Sequence, residues 1–514
     1  MVTSIITENL SEDVSKAATL AHLLRWRAQH QPEQSAYTFL LDGETEEACL
    51  TYSELDRQAR SIAAMLQKLD ARGERVLLLY PPGIEYIAAF FGCFYAGAVA
   101  VPAYPPRLNR SLGRLQTIIA DAQASVVMTT EMIHSRIGPL FEETAGIKQL
   151  DWLTTDNLAH ELAGEWREPI VGRESLAFLQ YTSGSTAAPR GVMVSHANLL
   201  HNQRLIQQTF QQTEESIILG WLPLYHDMGL IGNVLQPLYV GAPCILMSPV
   251  AFLQKPSRWL QAISRYQATT SGAPNFAYDL CARKTTPEQR AELDLSSWTT
   301  AFNGAEPVRR ETMERFAQTF ADCGFRREAF HPCYGLAEAT LLVSGGATES
   351  IARAFKKDAL EHNVVIGVDA ESAEARSLVA CGRALPDQRV VIVNPDTLMP
   401  ARPDEVGEIW VSGASVTQGY WNRPEETEHT FGAYLVDTGE GPFLRTGDLG
   451  FIDAGELFIT GRLKDLIIIR GRNHYPQDIE QTVGQSHPVL AGGMGAAFSV
   501  EVEGEERLVV VLRS

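Results

Sequence analysis

Short apolar runs of strand length alternate with helical stretches along most of this chain, and that alternation restricts its fold more than any other feature. Residues 76–80 read as a buried strand, 84–95 as a helix, 98–103 as a strand, 115–122 as a helix and 125–129 as a strand. Strand, helix, strand in succession requires crossover connections, so it predicts mostly parallel sheets covered on both faces. The pattern returns at 217–222 and 244–247, with a helix over 256–266, a short strand near Thr270, a strand over 299–302 and a helix over 308–320. After about residue 345 the runs become shorter and more β-branched (390–393, 408–411, 443–445, 457–460), separated by Gly, Asp and Pro, which predicts a smaller β-rich subdomain. A strand at 466–470 and a helix at 477–485 then open another unit, too short by the chain's end for a core of its own. The expected fold class is therefore α/β. A large N-terminal domain, 1–463, is expected to carry mostly parallel sheets and a β-rich subdomain at about 380–463, followed by a small α+β C-terminal unit, 464–514.

At 514 residues the chain exceeds what one hydrophobic core organises, and with 45% hydrophobic and 20% charged residues it reads as globular, not disordered. A net charge of −19 argues against nucleic acid as a partner, because phosphate neutralisation needs a basic face. The seven cysteines are scattered and form no CxxC pair, which points to a reducing cytoplasm with neither a disulfide framework nor a zinc site. Acidic Glu8, Glu12 and Asp13 and the lack of an apolar h-region read against a secretory signal, so none is expected. Tyr86 to Tyr104 carries no charge over nineteen residues, long enough for a membrane span. Gly92, Gly97 and Pro102 interrupt it, however, and it divides more naturally into a helix and a strand, so no transmembrane segment is expected.

A loop of small and hydroxyl residues, Tyr181-Thr-Ser-Gly-Ser-Thr-Ala-Ala-Pro-Arg190-Gly191, leaves a buried strand at 176–180 and precedes a helix at 196–211. Backbone N–H groups and hydroxyls in such a loop suit a polyphosphate, and strand-loop-helix is where α/β folds hold one. It is not a Walker A loop: counted from Gly184, that pattern needs Gly-Lys-Ser/Thr at 189–191, where this chain has Pro189, Arg190 and Gly191.

The loop resembles the phosphate loop of the adenylate-forming superfamily, which includes acyl-CoA synthetases, luciferases and nonribosomal adenylation domains. The superfamily's further motifs follow in order: Trp221-Leu-Pro-Leu-Tyr-His226-Asp227, Asn303-Gly-Ala-Glu-Pro307, Tyr334-Gly-Leu-Ala-Glu338, Arg445-Thr-Gly-Asp448 and Gly461-Arg-Leu-Lys-Asp465. The resemblance implies ATP and Mg²⁺ as cofactors. Thr182, Ser183, Gly184, Ser185 and Thr186 would bind the β- and γ-phosphates. Arg190 stands where many relatives carry lysine, and a guanidinium fork can hold pyrophosphate bidentately. Glu338 is the implied Mg²⁺ carboxylate, since Mg²⁺ takes one or two protein carboxylates and fills its shell with phosphate and water. A lone Glu in a Gly-rich turn is usually only solvated; the ordered motifs reverse that weighting.

Asp448 would accept both ribose hydroxyls, with Arg462 reaching the same sugar. Gly304-Ala305-Glu306 and Tyr334-Gly335 resemble the two segments that sandwich adenine, although Pro332 replaces the Asn that many relatives carry two residues before the Tyr. His226 would line the approach of the acyl carboxylate as donor or gate. Met228, Ile231 and Phe276 are candidates for the wall of an apolar acyl pocket, and residues of this type are individually more often ordinary core. Lys464 marks the hinge about which the superfamily's C-terminal domain swings.

Val101-Pro-Ala-Tyr-Pro-Pro-Arg107, Gly272-Ala-Pro-Asn-Phe-Ala-Tyr-Asp279 and Arg470-Gly-Arg-Asn-His-Tyr-Pro476 are similar to one branch, the fatty acyl-AMP ligases. Extra length at 349–374, compared with CoA ligases, carries Ile351, Phe355, Leu360, Val364 and Ile366, enough apolar side chains to dock as an ordered element. The branch implies a cytoplasmic enzyme that turns a fatty acid and ATP into acyl-AMP and pyrophosphate, then passes the acyl group to the phosphopantetheine thiol of an acyl carrier protein. In the superfamily the C-terminal domain runs on for roughly as much again and carries a catalytic lysine near its end, so the chain is expected to be a piece of a longer polypeptide. Two alternatives stay open: an acyl-CoA synthetase, and a nucleotide-binding module without turnover.

Overall fold

The computed structural model describes residues 17–106, 112–142, 150–182, 189–346, 352–469, 472–487, 490, 494–502 and 505–513. Two mostly parallel sheets build its N-terminal part. One has six strands, in the order Asp151–Thr154, Val126–Thr129, Arg75–Leu79, Val99–Ala103, Leu176–Thr182 and Arg190–Ser195. The other has seven, in the order Phe330–Pro332, Thr300–Asn303, Thr270–Ala273, Ile218–Gly220, Cys244–Met247, Ser35–Leu40 and Glu47–Thr51. Helices cover these strands on both faces, which is why runs such as Val76 to Leu79 are wholly apolar and wholly buried. The uncharged stretch at 86–104 divides into the helix Ile84–Ala96, ended by left-handed Gly97, and the strand Val99–Ala103. That helix packs on Tyr52–Lys68, whose first turn is fixed by a Thr51/Glu54 capping box. Among the described residues no helix is long and apolar enough to cross a membrane.

Around the hydroxyl-rich loop the chain does not build the expected strand, loop and helix. Leu176–Thr182 instead pairs antiparallel with a second strand, Arg190–Ser195, with Thr182 opposite Arg190. The helix His196–Phe210 begins only after that strand, capped by Ser195 and Asn198, so its N-terminus lies a strand's length from Arg190. The run Arg190-Gly-Val-Met-Val-Ser195 alternates weakly, and its β-branched residues are matched to the edge of a sheet that only the fold supplies.

The β-rich part is a four-stranded antiparallel sheet, Gln388–Val393, Gly407–Gly413, Leu444–Asp453 and Glu456–Arg462. Its side chains alternate between two cores. Ile409, Val411, Leu444 and Leu457 pack with Tyr334 and Val343, while Leu449, Phe451 and Phe458 face the other way. The second face is covered by a hairpin, Ala352–Lys356 against Ala375–Val379, with the short helix Lys357–Leu360 between its strands. Phe355 and Leu360 insert into that core, and Arg353 ion-pairs with Asp453 and Glu456 at 2.5 and 3.1 Å. Val364 is half-buried and Ile366 is exposed, so neither anchors the hairpin as Phe355 does; Ile351 lies outside the described residues. The C-terminal segment comprises the hairpin Ile467–Ile469 with Arg472–His474, the helix Pro476–Ser486 and the hairpin Met494–Val502 with Glu505–Arg513.

Candidate active site

A cleft of about 1290 Å³ takes its walls from the C-terminal ends of parallel strands in both large sheets and from the four-stranded sheet. Crevices at strand ends are where open α/β sheets bind ligands. Parallel pairing of Thr300–Asn303 with Phe330–Pro332 puts the residues that follow them side by side, so Gly304 and Ala305 lie next to Tyr334 and Gly335 on one wall. The approach leaves no room for side chains. A Cβ on Gly335 would stand 1.8 Å from the Leu341 carbonyl oxygen, and one on Gly304 would stand 2.9 Å from both the carbonyl oxygen and Sγ of Cys333. Ala305 turns the chain off its strand with φ +65°, a conformation that costs a non-glycine residue energy and marks a constrained site. Glu306 does not line the cleft: its carboxylate points back to accept the Phe276 backbone N–H at 2.5 Å. Pro332 ends its strand without a side-chain donor.

Asp448 and Arg462 are cross-strand partners in the antiparallel pair Leu444–Asp453 and Glu456–Arg462. Arg462 Nε donates to Asp448 Oδ1 at 3.1 Å, and the buried Tyr334 hydroxyl donates to Oδ2 at 2.7 Å. Burial holds the Asp448 carboxyl above the usual range, with the Arg462 charge and the Tyr334 bond opposing that shift. The turn before Asp448 is anchored by a residue that sequence reading missed. Buried Glu408 accepts from Arg445 Nε and Nη2 at 3.0 and 2.8 Å, from Trp410 Nε1 at 3.0 Å and from the Gly447 N–H at 3.1 Å. Thr446 adds a bond to the Ile409 carbonyl at 2.7 Å.

Thr182, Arg190 and Glu338 line the same cleft, whereas Ser183, Gly184, Ser185 and Thr186 lie outside the described residues. Glu338 is half-buried; its Oε1 accepts the Tyr420 hydroxyl at 2.8 Å, and its backbone carbonyl accepts Thr417 N–H and Oγ1 at 2.9 and 3.0 Å. Burial raises its pKa, and the Tyr420 bond partly offsets that. Arg190 lies over the Tyr420 ring at 4.8 Å and pairs with Glu426 at 3.2 Å. Among the described residues no group of three or more His, Cys, Asp or Glu side chains could hold a metal by itself. One carboxylate facing a polyphosphate-sized cleft fits Mg²⁺ nonetheless, because that ion keeps several waters and takes phosphate oxygens.

His226 precedes the helix Asp227–Leu230, and its exposed imidazole meets Asp227 Oδ1 through Nδ1 at 2.5 Å. The Asp227 charge holds the imidazole above its ordinary value. Helix Asp227–Leu230 runs through a π turn, Ile231–Leu235, into Gln236–Val240, and π turns inside helices recur at functional sites. Met228 faces the cleft. Ile231 does not: it is fully buried in the core between the sheets, because it falls on the inward side of that turn. Phe276 is also off this wall, 43% exposed and edge-on to Trp221. Lys464 is exposed at the cleft mouth, in a single turn that follows Arg462.

Residues 24–421 match the family described as AMP-binding enzyme. The chain belongs to that family. Within it, this AMP-binding enzyme is 53% identical over 502 residues to the medium-chain fatty acid acyl-carrier-protein ligase JamA of Moorena producens, covering 96% of this chain and 85% of the relative. It is 38% identical to the corresponding ligase TtuA of Teredinibacter turnerae, covering 96% and 84%. In three dimensions it matches the fatty acyl-adenylate ligase of L. pneumophila, solved with acyl adenylate and pyrophosphate, with a TM-score of 0.84 and 45% identity over 97% of this chain and 87% of that one.

Proposed function

We propose that this AMP-binding enzyme condenses a fatty acid with ATP to give acyl-AMP and pyrophosphate, then delivers the acyl group to the phosphopantetheine thiol of an acyl carrier protein. The observation that carries the reading is the convergence on one cleft of Thr182, Arg190, Glu338 and Asp448 with apolar lining residues that include Met228, Phe302 and Leu341. In the first step a carboxylate oxygen bonds to the α-phosphorus as the bond to pyrophosphate breaks, so an anion must approach an anion. Most of the catalysis is then positioning and charge neutralisation. Asp448, preset by Tyr334 and Arg462, accepts the ribose hydroxyls; Gly304, Ala305 and Gly335 leave backbone surface for the base. Arg190 and Thr182 hold the departing pyrophosphate. Mg²⁺ at Glu338 would neutralise phosphate charge. His226, held toward its protonated form by Asp227, orients the incoming carboxylate as a donor.

The relatives' acceptor supports a carrier protein, and so do contacts of the hairpin at 352–379. Beyond Lys464, Asn473 donates its N–H to the Glu361 carbonyl at 3.0 Å and its Nδ2 to Asn363 Oδ1 at 2.9 Å, while Asp478 pairs with Arg376 at 3.1 Å. These contacts tie the segment that must swing for thioester formation to the hairpin, and a bias of about 1.4 kcal/mol already changes a population ratio tenfold. Seven free cysteines, none paired, are consistent with a cytoplasmic setting. Mass spectrometry of products from a fatty acid panel, starting with medium chains, tests the reading with ATP alone, with CoA and with a phosphopantetheinylated carrier protein. Acyl-AMP and acyl-carrier products are expected; acyl-CoA formed as fast as acyl-AMP would make the protein a CoA synthetase.

A further inference from the structure

Tyr420 belongs to none of the motifs that the sequence singles out, yet it touches both charges that the adenylation reading assigns to the triphosphate. Its hydroxyl donates to Glu338 Oε1 at 2.8 Å, and its ring lies under the Arg190 guanidinium at 4.8 Å. The side chain is 4% exposed and lines the cleft. Its backbone is registered to the strand that Arg190 begins. Met193 N–H donates to the Gly419 carbonyl at 2.9 Å, Trp421 N–H to the Gly191 carbonyl at 2.8 Å, and Val192 bridges Tyr420. Helix Pro424–Phe431 fixes the other side, with the Tyr420 N–H on Thr427 Oγ1 at 2.9 Å and the Phe431 ring edge-on at 5.2 Å.

A buried tyrosine needs a partner for its hydroxyl, and any acceptor would serve that end. Here the acceptor is a carboxylate, and a cation lies over the same ring. In a partly desolvated cleft, Glu338 and Arg190 attract each other strongly, and a direct pair would neutralise both before ATP arrives. No such pair forms: Arg190 meets Glu426 at 3.2 Å, and Glu338 meets Tyr420. We infer that Tyr420 is a positioning residue for adenylation, its hydroxyl fixing Glu338 and its ring seating Arg190, so that the carboxylate and the cation stay apart until the triphosphate and its metal engage them. The inference rests on the proposed roles of Glu338 and Arg190.

The two halves of the side chain can be removed separately. Tyr420→Phe keeps the ring under Arg190 and deletes the bond to Glu338; Tyr420→Leu deletes both. Calorimetric binding of a non-hydrolysable ATP analogue to the 514-residue chain, with Mg²⁺ and with EDTA, reads the effect without turnover. Tyr420→Phe should weaken binding ~10-fold in Mg²⁺, the equivalent of about 1.4 kcal/mol for one bond to a charged group, and leave binding in EDTA unchanged. Tyr420→Leu should weaken binding in both. Glu338→Gln, measured alongside, should abolish the gain that Mg²⁺ brings. If Glu338→Gln keeps that gain, the metal role of Glu338 fails and the inference with it. If Glu338→Gln loses the gain while Tyr420→Phe binds like the wild type, or loses equally in both conditions, the inference about Tyr420 alone is overturned. Should Tyr420→Leu not fold, Tyr420→Phe still decides.

Discussion

Replacing Glu408 tests whether the turn before Asp448 is held by a buried charge pair. Glu408 is 2% exposed and Arg445 20% exposed, and four donors converge on the carboxylate, two of them from Arg445. Glu408→Leu leaves the guanidinium without its counter-ion and the Gly447 N–H without its acceptor. Breaking a buried pair from one side costs about 3–5 kcal/mol. Arg445 keeps a fifth of its surface in water, so its orphaned charge is partly solvated and the lower end applies. A loss of about 3 kcal/mol corresponds to exchange roughly a hundredfold faster. Unfolding of a long chain with several separate hydrophobic cores gives no single free energy, so the readout is amide hydrogen exchange in the strand Leu444–Asp453. The double variant Glu408→Leu/Arg445→Met removes both charges and should recover most of the protection, since a buried pair replaced by apolar groups is often neutral. ATP affinity should stay low in both variants, because the turn has lost its anchor at Gly447. A double variant no better protected than the single one, or a single variant that loses less than about 1 kcal/mol, would refute the reasoning.

Glu338→Ala and Asp448→Ala should each lower pyrophosphate release ~10-fold or more, the scale of removing one interaction with a charged group; full activity in both would discard the site. Asp227→Asn removes the charge that raises the His226 pKa, so the imidazole titration followed by NMR should move to lower pH. Burial already holds Asp448 above the usual carboxylate range, so its ionised form is lost on acidification sooner than that of an exposed aspartate. Arg462→Met removes a charge that favours the ionised form and should move the acid limb of ATP affinity to higher pH; an unmoved limb would exclude Asp448 as the titrating group.

The parts of the site that sequence reading reached are those where one residue type does one chemical task within a short motif. Asp448 follows a Thr-Gly turn, Glu338 closes Tyr334-Gly-Leu-Ala-Glu338, and the structure puts both on one cleft with Arg190 and Arg462. What it missed are residues whose role depends on a partner far along the chain. Tyr420 meets Glu338 across 82 positions and Glu408 meets Arg445 across 37, and nothing local marks either. Of the apolar candidates, Met228 lines the cleft whereas Ile231 and Phe276 do not. Apolar residues next to a motif look alike in sequence, and the π turn at Ile231–Leu235 decides which of them turns inward. The segment 349–374 was legible as an element that docks through Phe355 and Leu360, but not that it would form a hairpin over the four-stranded sheet with Val364 only half-buried and Ile366 exposed.

By itself the sequence determined the layered α/β architecture, the β-rich region that follows it and the order of the separate motifs. Hydrophobic periodicity and turn residues act over a few positions, and they reach the same answer whatever the rest of the chain does. Only the tertiary structure decided that the hydroxyl-rich loop joins two antiparallel strands, that Tyr420 stands between Glu338 and Arg190, and that Glu408 anchors the turn before Asp448. Those arrangements are set by which sheet edge was free to pair and which charges ended up buried together. Both are properties of the packed chain and of no segment within it.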